Sequence, residues 1–134
     1  MDIWMSGEIQ SDVDDAYSEV RKEIETKLNT AFASKDFGTG LVKWYFIAMI
    51  FGEHGPADYK EISRYSKRDR TCEFRLIIDH ESFRAGGRTA RAALVCGALL
   101  RSLDLLSEKK VPDIDLPALR AVVIEVANRN GWLT

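Results

Sequence analysis

Three groups of residues have the types that carry chemistry. Glu8, Asp12, Asp14 and Asp15 gather carboxylates near the start of the chain, Asp79-His80-Glu81-Ser82 sets acid, imidazole and hydroxyl side by side, and Lys60, Arg64, Lys67, Arg68, Arg70, Arg84, Arg88 and Arg91 concentrate positive charge further on. The carboxylates resemble a fragment of a calcium loop, but such a loop needs Gly at its sixth position and Glu at its twelfth for a tight turn and bidentate ligation. Counted from Asp12 those positions are Tyr17 and Glu23, both inside a helical pattern, so no metal site is expected. His80 lies next to its acid and hydroxyl in sequence, whereas triads are assembled by the fold and rarely by adjacency. The structural reading is that Asp79 or Ser82 caps the helix that follows. His54 falls in the loop sequence GEHGPAD. The glycine pieces GTG (38–40) and AGGRT (85–89) lack the Lys-Ser/Thr ending of a phosphate loop and the dinucleotide spacing, and read as a turn and a helix start. No cofactor is implied.

The cations admit two readings. On one face they would contact several phosphates, with Tyr59 and Tyr65 stacking on bases. Against that, the sequence pI is about 5.7, and positive side chains along a hairpin edge also guard a sheet against edge-to-edge pairing. The charge is segregated: residues 1–36 hold nine acids against four bases, residues 60–101 five acids against ten bases. Neither excess need be functional, because the two can face each other in the fold.

Periodicity places these residues on elements. Asp2–Gly7 reads as a short strand with Ile3 and Met5 on one face and Trp4 and Ser6 on the other. Val13, Tyr17, Val20, Ile24, Leu28 and Phe32 recur at helical spacing, with Ser11 or Asp12 as cap and Asp14 and Asp15 in the first turn, where the helix dipole favours anions. On that helix Asp12, Asp15, Glu19 and Glu23 form a stripe away from the apolar face. KWYFIAMIF (43–51) is apolar on both alternations and predicts a central strand, covered on both faces or on one with the other partly screened. Strands at 61–67 and 71–79 are joined by Arg68-Asp69-Arg70, and the second alternates Cys72, Phe74, Leu76 and Ile78 against Glu73 and Arg75. A helix ends near Ser107 and starts either near Glu81 or after Gly86-Gly87. Asp115 then caps a last helix with Pro117 in its first turn. The order β-α-β-β-β-α-α predicts a two-layer α+β fold in one domain over 1–134: an antiparallel sheet of about four strands with helices mainly on one face.

Cys72 and Cys96 belong to no CxxC pair and sit in apolar patterns, so they read as buried thiols. With no secretory leader visible and no apolar run near the ~20 residues of a membrane span, a cytoplasmic setting is expected.

Three stretches, IWMSGEIQSDVDDAY, YKEISRYSKRDRTCEFRLIIDHESF and LLRSLDLL followed by a helix ending in GW, resemble a family of bacterial immunity proteins of polymorphic and contact-dependent toxin systems. The resemblance runs nearly end to end. It implies a small non-enzymatic cytoplasmic protein whose partner is the C-terminal effector domain of a cognate toxin, often a nuclease with a basic cleft. Glu8, Asp12, Asp15 and Glu19 are then the expected contact surface, with Trp4 or Tyr17 at its margin, although the place of Tyr17 in the apolar stripe points to the core. Arg64, Lys67, Arg68 and Arg70 are the alternative surface, for an acidic toxin or for nucleic acid, the less expected partner.

Overall fold

The computed structural model describes residues 1–52 and 59–133. β1 (Asp2–Ile9) runs through a 3-10 turn (Ser11–Val13) into α1 (Asp14–Ala33), followed by β2 (Lys43–Ile50), β3 (Ile62–Ser66), β4 (Thr71–Ile77), α2 (His80–Ala85), α3 (Arg88–Glu108) and α4 (Leu116–Arg129). The GEHGPAD loop with His54 lies almost wholly outside the described residues.

The α+β class and the four-stranded sheet are as expected, but the sheet is mixed. Its order is β1-β2-β4-β3; β1 and β4 both run parallel to β2, and only the β3–β4 hairpin is antiparallel. The expectation of an antiparallel sheet is corrected by the crossover. α1 returns the chain to the end of the sheet where β1 began, so β2 starts alongside Asp2 and runs the same way. β4 then inserts between β2 and β3.

The helices cover one face. Ile3, Met5, Trp44, Phe46, Ala48, Cys72, Phe74 and Leu76 are buried there against Val20, Ile24 and Leu28 of α1, Val95, Leu99 and Leu103 of α3, and Leu119 and Val123 of α4. Burial pushes the thiols of Cys72 and Cys96 up to about 11 and 12, so both stay protonated at neutral pH. The opposite face is bare of helices among the described residues. In register across it stand Trp4, Tyr45, Glu73 and Arg64, with Ser6, Ile47, Arg75 and Ile62 as the next row. Of the two predicted coverings of β2, one face buried and the other partly screened is the one found.

Two local devices hold the edges. β1 is an edge strand, and α1 caps its outer backbone with side chains four residues apart. Asn29 accepts from Ile3 N–H and donates to Ile3 C=O, Glu25 accepts from Met5 N–H, Arg21 donates to Met5 C=O, and Tyr17 O–H donates to Ser6 C=O. Along Ile3 and Met5 the outer donors and acceptors are thereby taken, and that stretch of the edge offers no template to another chain. Elsewhere, the α1–β2 connection is zipped to the α3–α4 connection. Gly38 bridges Ile114, and the N–H groups of Thr39 and Gly40 both donate to Asp113 C=O. Asp79 and Asp115 cap α2 and α4 as expected, accepting from Ser82 and Ala118 N–H, and Gly86-Gly87 separates α2 from α3.

Candidate partner-binding surfaces

The core stripe of α1 fixes where its acids point. At about 100° per residue, Asp15 and Glu19 lie opposite Tyr17, Val20, Ile24 and Leu28, and Glu23 leans towards α3. Asp12 sits one turn earlier, in the 3-10 turn. These acids share the outer helix surface. Glu8 does not join them. It follows Trp4 and Ser6 in the pleat and belongs to the bare sheet face, where its charge, after burial itself, helps raise the Tyr59 hydroxyl. Trp4 is 55% exposed on that face, and Tyr17 is 2% exposed, a core residue.

Much of the acidic stripe is engaged by the basic half of the chain. Arg88, at the start of α3, bridges Glu19 at 3.2 Å and Glu23 at 2.9 Å. Hydrogen bonds from Lys27, then Arg88, hold the Glu23 carboxyl below its ordinary value. His80, 6% exposed, places Nε2 3.0 and 2.9 Å from the two Asp12 oxygens and so ties α2 to the start of α1. Among the described residues Asp15 has no ion pair. Sequence reading missed Arg88 and His80 as partners of these acids; the segregated charge was the only signal, and it names no pairs.

The acid, imidazole and hydroxyl at 79–82 are not arranged as a triad. Ser82 Oγ donates to Asp79, not to His80, so no hydroxyl is paired with the imidazole. Among the described residues no group of three His, Cys, Asp or Glu is placed to hold a metal ion. The pair instead makes a pH-dependent clasp. The hydrogen bond to Asp12 raises the His80 pKa above its unfolded value near 6.5, against the opposing effect of burial, with Glu81 adding to the rise. Protonated imidazole therefore favours the fold. This contribution is complete below about pH 6.5 and is lost as pH climbs through the raised folded value. In urea titrations from pH 6 to 8.5, wild type is expected to lose stability relative to His80→Gln. Parallel pH curves for the two proteins would remove the clasp.

The cations do not form one surface. Arg84 pairs with Glu81, Arg91 donates to the Phe83 and Arg84 carbonyls, and Arg70, in the left-handed conformation at φ 53°, donates to Thr39 C=O. Arg64 stands on the bare sheet face, and Lys67 and Arg68 are exposed in the β3–β4 turn. The stacking platform is not formed either. Tyr59 packs edge-on against Phe51 and Tyr65 packs against the core on the helix side.

The site is thus two charged surfaces, one of them held in place by internal ion pairs. The chain belongs to the immunity protein 44 family, whose model matches residues 1–129, and is thereby an immunity protein directed against a toxin. No curated protein and no solved structure shows significant similarity to it. Among the described residues no helix is long and apolar enough to cross a membrane.

Proposed function

We propose that the chain works in the cytoplasm as a stoichiometric, non-enzymatic inhibitor that binds the effector domain of its cognate toxin. The family match carries this reading. The contact is the acidic outer face of α1, where Asp12, Asp15 and Glu19 meet a basic cleft such as that of a nuclease, with Glu8 at most a peripheral contributor from the other face. Asp12 and Glu19 are already oriented by His80 and Arg88, so little side-chain freedom is lost on binding. Complementary fields of this kind speed encounter and fix register.

The test is co-expression with the toxin of the neighbouring reading frame, followed by a binding titration. The wild-type chain is expected to rescue growth and co-purify with the effector domain. Asp12→Lys/Asp15→Lys/Glu19→Lys is expected to bind at least about tenfold more weakly and to lose the salt dependence of association. Because the triple variant also strands His80 and Arg88, Asp15→Lys alone is the control, expected to melt like wild type and still bind more weakly. No rescue by the wild-type chain would overturn the inhibitor. Unaltered binding by both variants would remove the acidic face from the contact and leave Arg64, Lys67 and Arg68 as the charged surface to examine.

A further inference from the structure

The bare sheet face has a composition and a charge layout that the acidic helix surface does not explain. Its centre is apolar or aromatic: Trp4, Tyr45, Ile47 and Ile77 occupy neighbouring register positions, exposed at Trp4 and part-exposed at the other three. Lys43 Nζ lies 5.3 Å from the Trp4 ring centroid and 5.7 Å from that of Tyr45, so the two rings are held in place before anything docks on them. A half-exposed Trp beside a Tyr, with an Arg in the same register row, is the make-up of an interface centre rather than of an ordinary wet surface.

The charges on this face run from edge to edge. β1 contributes Asp2 and Glu8. At the opposite edge β3 contributes Arg64, with Lys60 exposed just before it and Lys67 and Arg68 just after. Between them, Lys43 lies over the Trp4 and Tyr45 rings, and Glu73 and Arg75 neutralise each other at 3.0 Å. A surface negative along one edge and positive along the other is complementary to itself under a two-fold rotation about an axis lying roughly along the strands. That rotation stacks β1 over the β3 of a second copy and β2 over its β4. Within one register row it sets Trp4 against Arg64 and Tyr45 against Glu73; in the next it sets Ile47 against the stem of Arg75. These are a cation–π pair, a hydroxyl–carboxylate pair and an aliphatic contact, each made twice.

We infer that the bare sheet face is a self-association surface, on which a second copy of this chain packs sheet to sheet. Four strands about 4.8 Å apart and about seven residues long at about 3.3 Å each present roughly 400 Å² per copy. A standard stable interface buries about 800 Å² per partner, so the dimer is weak and concentration-dependent. Both helix layers, with their acidic surfaces, face outward in it.

The experiment uses the full chain alone, without toxin, so its outcome is independent of the inhibitor reading. Sedimentation equilibrium from about 10 µM to about 1 mM spans the range expected of such small interfaces. Wild type is expected to pass from monomer to dimer. Trp4→Ala and Arg64→Glu, both at exposed positions, are each expected to weaken association about tenfold or more while keeping the wild-type circular dichroism. A chain that stays monomeric throughout, or a dimer indifferent to both variants, overturns the inference.

Discussion

Gly40→Ala is expected to destabilise the fold by about 3 kcal/mol or more, since a forced backbone shift breaks several bonds at once. A Cβ at residue 40 would lie 1.8 Å from the Pro112 carbonyl oxygen and 2.9 Å from its carbon, both main-chain atoms that cannot turn aside. Relief means pulling the two connections apart. The Thr39 and Gly40 bonds to Asp113 and the Asp115 bond to Phe37 would go with that movement. The same substitution at Gly97, exposed in α3 with nothing near its Cβ, is the control and is expected to stabilise by roughly 0.5–1 kcal/mol through helix propensity. Urea denaturation of both variants checks the pair; a Gly40→Ala protein as stable as wild type would show that the two connections are not held together as described.

Asn29→Ala should cost about 2–4 kcal/mol, because one side chain satisfies both the N–H and the C=O of Ile3 at 2.8 and 2.9 Å. Its second consequence is colloidal. With those two groups freed, the outer edge of β1 becomes available for pairing, and light scattering on mild heating should rise earlier than in wild type. Asn29→Asp keeps the acceptor and loses the donor, so an intermediate loss is expected. If Asn29→Ala fell within about 0.5 kcal/mol of wild type, the cap on β1 would be ornamental.

The stripe from Val13 to Phe32 declared α1, and Asp115 with Pro117 declared the start of α4, because local spacing and capping chemistry decide those elements. The direction of β1 and β2 is a different kind of property. Alternation in 71–79 and the one-sided covering of the sheet look the same in parallel and antiparallel strands, and the 33-residue route from Ile9 to Lys43 that permits a parallel crossover carries no mark of its direction. The candidate surface divides along the same line. Asp12, Asp15 and Glu19 were legible as a stripe because a helix fixes their angular spacing. Grouping Glu8 with them followed nearness in sequence, and the pleat of β1 sends it to the other face. Their engagement by Arg88, 65 residues from Glu23, and by His80, 68 from Asp12, belongs to tertiary contact alone.

The four side chains of α1 that hold β1 hydrogen-bond only to its main chain. Amide and carbonyl groups are the same whatever the residue, so Asp2, Trp4, Ser6 and Glu8 can be exchanged without loosening that grip. The outward half of the strand is thereby decoupled from the fold. What that face presents can therefore be set by what it meets rather than by the needs of the fold.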